Sequence, residues 1–227
     1  MSIALSIGNN LTTGGVFTSS AVNNTSITNV TDFAGFSGGG GLSLISTQTA
    51  SSSATISFTS GLTSTYKSYI FKFISIHPQT DNQYFQFQGS TDGGSNYNTT
   101  ITSTSFKAFS SEADGSTSGL NYEGPNYRGD ADQAQGTGFQ YLHADGGIGN
   151  DADQTLSGTL QLFNPASTTY VKNFAVRSSA ATAANYSVDS MISGYFNTSS
   201  AINAVQFKFG SGNIDSGVIK MYGVKQS

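Results

Sequence analysis

The sequence predicts an all-β protein, an antiparallel β-sandwich of jelly-roll type with an extended N-terminal arm. Short runs of alternating apolar and polar residues recur along most of the chain, separated by turns rich in Gly, Asn, Asp and Ser. No segment sustains a 3.6-residue apolar period. Composition agrees: 16 Phe and 11 Tyr beside 27 Gly, with only 10% charged residues, suit aromatic inward faces, hydroxyl-rich outward faces and small-residue turns. A chain of 227 residues is long enough to bury one sizeable sandwich core.

The elements follow in order. Residues 1–41 are rich in Gly, Ser, Thr and Asn and run into Gly38-Gly39-Gly40-Gly41, so they are expected to be an arm for docking or assembly. Ile3, Leu5 and Ile7 alternate there with Ser2, Ala4 and Ser6, a short strand pattern able to add to a sheet edge. Residues 42–227 are the expected sandwich body. Leu42–Thr49 opens it, followed by Ala54–Thr59 with Ala54, Ile56 and Phe58 alternating. Tyr66–Ile76 has Tyr69, Phe71 and Phe73 on one face and Ile70, Lys72 and Ile74 on the other, the mark of a central strand, and His77-Pro78 should end it.

Tyr84–Gln88 opposes Phe85 and Phe87 to Gln86 and Gln88. Asp92-Gly93-Gly94 then predicts a hairpin leading into Tyr97–Thr104 and Ser105–Phe109. Gly138–His143, Gln154–Phe163 and Thr169–Arg177 alternate again, while Ala180–Asn185 is short enough to be only a turn. Ile192–Phe196, Ala204–Phe209 and Val218–Val224, joined by turn residues such as Gly210 to Gly217, predict a meander that closes a sheet. Strands at this spacing, without helices between them, point to a sandwich or jelly roll, and the lack of a solenoid repeat counts against a β-helix.

Several function classes lose support at this level. No run of 18 apolar residues is present, and MSIALSIGNN lacks the basic and apolar regions of a Sec-type signal, so neither a membrane-spanning helix nor export by that route is expected. Zero Cys rules out disulfides and thiolate metal sites. The net charge of −4 divides unevenly: Glu112 to Asp153 holds eight acids against Arg128, or −7, and the remainder holds five acids and eight bases, or +3. The lysines are scattered singly, which disfavours nucleic-acid binding. Asn-x-Ser/Thr triplets at Asn98 and Asn197 are read as by-products of composition.

The residues that could carry chemistry are few. Asp130/Asp132 and Asp151/Asp153 form two Asp-Ala-Asp-Gln units with Asp145 between them, a carboxylate supply suited to Ca²⁺ but lacking EF-hand spacing, so solvated loop carboxylates are the preferred reading. His77 and His143 lack a nucleophile elbow or metal spacing and are expected to be polar residues at strand ends. Glu112, Glu123 and the Asp residues could supply a glycosidase pair, yet nothing places one acid in an apolar pocket and Trp is absent. Gly38 to Gly41 is followed by no Lys-Ser/Thr and reads as a joint. Tyr122, Tyr127 and Tyr141 sit among Gly, Asn and Asp, in loops suited to glycan or protein contact. No catalytic, cofactor-binding or metal-ligating residue is assigned.

Three segments taken together carry a resemblance. They are Tyr69-Ile70-Phe71-Lys72-Phe73 through Gly89-Ser90-Thr91-Asp92-Gly93-Gly94-Ser95-Asn96-Tyr97, Leu156-Ser157-Gly158-Thr159-Leu160-Gln161-Leu162-Phe163-Asn164-Pro165, and Ile192-Ser193-Gly194-Tyr195-Phe196 through Gly212-Asn213-Ile214-Asp215-Ser216-Gly217 to Met221-Tyr222-Gly223-Val224. In this order they resemble small β-sandwich virion proteins of tailed bacteriophages, common in marine phages, which serve as capsid decorations, knobs or tail-fibre modules. The resemblance leaves residues 1–41 uncovered. It implies a non-enzymatic structural protein on the virion surface, made in the host cytoplasm, whose partners are major capsid or tail proteins. A capsid decoration is the first expectation. The alternatives are a tail-fibre or receptor-binding component contacting host glycans and, in a different class, a lectin-like module or depolymerase. A homotrimer is expected for either virion placement, because symmetric assembly covers sheet edges.

Overall fold

The computed structural model describes residues 41–113, 118–123, 131–144 and 146–225. The expected arm, apart from Gly41, lies outside them. Twelve strands occur among the described residues: β1 (Leu42–Ser53), β2 (Ile56–Phe58), β3 (Ser68–Pro78), β4 (Phe85–Ser90), β5 (Ile101–Ser111), β6 (Ser118–Glu123), β7 (Gln140–Tyr141), β8 (Leu156–Phe163), β9 (Lys172–Ala181), β10 (Tyr186–Phe196), β11 (Ala204–Phe209) and β12 (Ile214–Val224). No helix of these residues is long and apolar enough to cross a membrane.

The strands build two antiparallel sheets packed face to face, as the alternation predicted. The large sheet runs β1-β12-β3-β8-β9-β10-β5-β6 and the small sheet β2-β11-β4-β7. Its first four strands and the small sheet interleave along the chain: β1 lies in one sheet, β2 in the other, β3 back in the first, β4 in the second, then β7, β8, β11 and β12 likewise. That interleaving is the jelly roll. The other half of the large sheet, β9-β10-β5-β6, extends it sideways. The inner face of this extension is covered by the chain around residues 131–148. There Ser178 Oγ donates to Leu142 O at 2.6 Å, the Ala144 N–H donates to Ser190 Oγ at 3.0 Å, and Leu142, Ala144 and Ile148 are buried.

The core is aromatic. Phe207 on β11 lies 5.4 Å from the ring centroids of both Phe71 and Phe73 on the opposite sheet, and 6.1 and 6.0 Å from Phe58 and Phe85 beside it. Phe87 continues the cluster to Phe174 and Phe196 in the extension, at 5.1 and 6.0 Å. Face assignments made from alternation hold: Tyr69, Phe71 and Phe73 of β3 are buried, as are Leu156, Leu160 and Leu162 of β8. β3 is a central strand between β12 and β8, and it runs on through His77-Pro78.

Five expectations are corrected. Asp92-Gly93-Gly94 does not close a hairpin, because β4 and β5 belong to different sheets and the turn is a crossover. Asp92 shapes it by accepting from the Asn96 N–H and Asn96 Nδ2 at 2.9 and 2.7 Å and from Ser90 Oγ at 2.6 Å. The closing meander is likewise absent: β10 pairs with β5 and β9, β11 crosses to the small sheet, and β12 returns between β1 and β3. Tyr97–Phe109 is one strand beginning at Ile101, and of Gly138–His143 only Gln140–Tyr141 pairs as strand. Lastly, β6 lies inside the acidic segment, where no strand was expected.

Candidate functional site

Among the described residues, the carboxylates of the acidic segment do not converge. Asp130 and Asp145 lie outside the described residues. Asp132 precedes Gln133, whose carbonyl accepts from the Ser103 N–H at 2.9 Å and whose N–H donates to Ser103 Oγ. Asp151 and Asp153 are exposed on the loop before β8, where the Asp151 carbonyl accepts from the Gln154 N–H at 3.0 Å. Among the described residues no three His, Asp or Glu side chains gather as a metal-ligand set. Glu112 is exposed beyond β5, with its N–H donating to Asn185 O at 3.0 Å, and Glu123 stands opposite Ser105 in the β6–β5 register. Tyr127 and the side chains of Tyr122 and Glu123 are outside the described set.

The histidines have different surroundings. His77 is part of β3, with Nε2 3.2 Å from Asp151 O and Nδ1 3.7 Å from an Asp215 carboxylate oxygen. His143 is fully buried, which corrects the expectation of an ordinary polar strand end. Its Nε2 accepts the Phe85 N–H at 3.2 Å, so the neutral ring carries its proton on Nδ1. The ring stacks on Tyr84 at 5.1 Å, and Tyr84 stacks on Tyr141 at 4.5 Å. Burial pushes the His143 pKa down to about 4, with the Ala144 backbone pulling weakly the other way. Tyr141 is therefore a half-buried packing residue, where the sequence placed an exposed loop aromatic.

Among the described residues, the outward face of the large sheet carries many exposed side chains. Along β9 the outward residues are Asn173, Ala175, Arg177, Ser179 and Ala181, alternating with buried Lys172, Phe174, Val176, Ser178 and Ala180. Three shallow depressions follow one another along this line. The first, about 480 Å³, lies among Phe163, Asn173, Ala175, Ser193, Tyr195 and Thr102. The second, also about 480 Å³, is formed by Ser157, Thr159, Arg177, Ser179 and Asp189. The third, about 350 Å³, shares Ser157 and Ser179 with the second and reaches Glu112. Arg177 and Asp189 meet side-on across β9 and β10, Nε to Oδ1 at 3.2 Å and a terminal nitrogen to Oδ2 at 2.8 Å, and this bond raises the Arg177 pKa further. On the β10–β5 side of the same face, Met191 and Phe106 are direct cross-strand partners and both are exposed.

Sequence reasoning looked for contacts in the acidic loops and passed over this face. The available signal was the run of small and polar residues at alternate positions of β9. No family model, curated protein or solved structure matches the chain.

Proposed function

We propose that this chain is a non-enzymatic structural protein of a bacteriophage virion, displayed on the particle surface as a capsid decoration or knob. The observation that carries this reading is a jelly-roll body whose large sheet leaves its outward face open, with large apolar side chains such as Phe106, Met191 and Ile74 exposed on it. A module of this kind acts by packing and display. The motifs behind the phage resemblance also fit the reading, because they fall on the framework strands β3, β4, β8, β10 and β12 and not on a catalytic constellation. The polar side chains buried in the body do structural work: Lys172 Nζ donates to the carbonyls of Tyr170, Thr198 and Ser199 at 2.8, 3.1 and 2.8 Å, and His143 anchors the Phe85 N–H. Partners in this proposal are the major capsid or tail proteins and further copies of the chain as a homotrimer, with synthesis in the host cytoplasm and no role for nucleic acid or membrane.

Immunogold labelling of intact particles tests the placement. Label over heads is the expected result, and particles that carry none overturn the proposal. Light scattering on the purified chain tests the trimer, and a monomer at micromolar concentration removes it.

A second reading, a tail-fibre or receptor-binding component contacting host glycans, is favoured by one feature: the row of aromatic, amide and hydroxyl side chains along β9. Label confined to tails would select it. Sugar release from host polysaccharide would instead select the depolymerase alternative.

A further inference from the structure

The depressions lie in line along the outward face of β9, and the second and third share Ser157 and Ser179. Ala175 lies in the first depression, Ser179 in the second and third, and the exposed Arg177 side chain stands between Ala175 and Ser179, with outward residues of β8 and β10 on either side. The register makes the line straight: Gln161, Ala175, Ser193 and Thr104 stand in one cross-strand row, and Ser157, Ser179, Asp189 and Ala108 in another. From Asn173 to Ala181 it runs roughly 26 Å at the rise of a strand. At one end Asn173 is paired with Tyr195 across strands, and the ring of Phe163 lines the same depression.

The chemistry of the lining narrows the ligand. Aromatic rings beside an amide and several hydroxyls suit a molecule with apolar ring faces and many hydroxyls. The charges at the centre, Arg177 and Asp189, neutralise each other, which favours an uncharged ligand over a polyanion. Polypeptide is a poorer occupant. An extended peptide gains its affinity from backbone bonds at a sheet edge, whereas a sheet interior has already paired its own N–H and C=O groups and offers a peptide backbone little. A sugar chain has no such requirement.

We infer that this line of depressions, a shallow trough crossed by the Arg177–Asp189 pair, is a binding site for a linear, uncharged oligosaccharide, with Tyr195 and Phe163 as stacking platforms, Asn173 and the Arg177–Asp189 pair as hydrogen-bonding groups, and Ser157, Thr159 and Ser179 completing the polar lining. The inference takes the glycan-contacting reading to a named site and rests on it. The two fail separately: hexasaccharide binding by a chain that labels neither head nor tail removes the virion reading alone, and labelled particles built from a chain that binds no sugar remove the trough alone.

The test is calorimetric titration of the full chain with cellohexaose, maltohexaose, laminarihexaose and mannohexaose, and with an oligouronate of equal length. At least one neutral hexasaccharide should bind with a dissociation constant on the order of 0.1–1 mM, the oligouronate should bind more weakly, and amide shift changes should map to β8, β9 and β10. Tyr195→Ala and Asn173→Ala should each weaken binding tenfold or more at an unchanged melting temperature. Leu120→Ser, on β6 away from the trough, should leave it unchanged. Asn173 is exposed, so its variant serves if Tyr195→Ala fails to fold. Absence of binding to all four neutral sugars, stronger binding of the oligouronate, or full binding by the folded trough variants overturns the inference. So does self-association that Asn173→Ala abolishes while the sugar titrations stay flat, because the face would then be a protein interface.

Discussion

Single residues set much of the stability of this sandwich. Phe207 touches aromatic rings from both sheets, so Phe207→Ala opens a void at the point where they meet. The expected cost is about 3–5 kcal/mol, measured as a shift in the urea midpoint at unchanged slope. His143 makes stability depend on pH. Its folded-state pKa of about 4 lies below the ordinary 6.5, so as pH falls the unfolded chain takes up the proton first. The contribution of the neutral ring is complete above the unfolded value, declines through the window between the two, and levels off below about 4, for a total loss of about 3 kcal/mol. Denaturation at pH 7.5, 5.5 and 4.5 should show that decline, and His143→Gln should flatten it. Asp92 acts in a separate and more acidic window. Hydrogen bonds from Ser90 and Asn96 hold its pKa at about 2, so its contribution is present above 3.8 and fades as pH falls toward 2. A decline already under way between pH 6.5 and 4.5 therefore belongs to His143.

Strands show which parts of the molecule a sequence discloses. A period of two assigns each residue to a face, and so Phe71, Phe85, Leu160 and Phe207 were legible as core before any coordinates. Alternation does not name a strand's neighbour. In a jelly roll consecutive strands lie in opposite sheets, and the turn after β4 and the turns after β10 and β11 carry the same Gly and Asn chemistry as hairpins while acting as crossovers. β6 escaped because its pairing with β5 is a tertiary fact and its sequence, SGLNYE, is bracketed by acids and glycines. The depressions along β9 escaped for a related reason: Asn173, Ala175, Arg177 and Ser179 read as an ordinary solvent face, and only the neighbouring strands place Phe163, Tyr195 and Asp189 beside them. Close approach between elements yields a sharper prediction. A Cβ on Gly89 of β4 would lie 2.8 Å from the Phe196 ring of β10 and 3.1 Å from Ile202, with neither able to retreat within the packed core. Gly89→Ala should therefore destabilise by about 1–3 kcal/mol, and by less in the Phe196→Leu background, read as a double-mutant cycle in urea.

At the scale of the whole molecule, the described core lies in residues 42–225, and attachment is proposed for the segment before it. Residues 39–227 form one compact unit, and the buried apolar side chains of the core among the described residues, from Ala50 to Met221, lie within it. Only one described hydrogen bond reaches back as far as Gly41, whose carbonyl accepts from the Lys225 N–H at 3.0 Å where β1 and β12 end together. Among the described residues, removing 1–41 deletes that bond, at a cost of about 1 kcal/mol, and takes away no strand and no ring of the aromatic cluster. The truncated body should keep the circular dichroism of a β protein and melt cooperatively within a few degrees of the full chain, on the order of the shift such a cost produces. If the arm is the docking segment, particles assembled with the truncated chain should lack it entirely, and a synthetic 1–41 peptide should compete with the full chain for incorporation. A truncated chain that folds and still incorporates would transfer the attachment function to the body, where the exposed Phe106–Met191 pair on the open sheet face is the next surface to mutate.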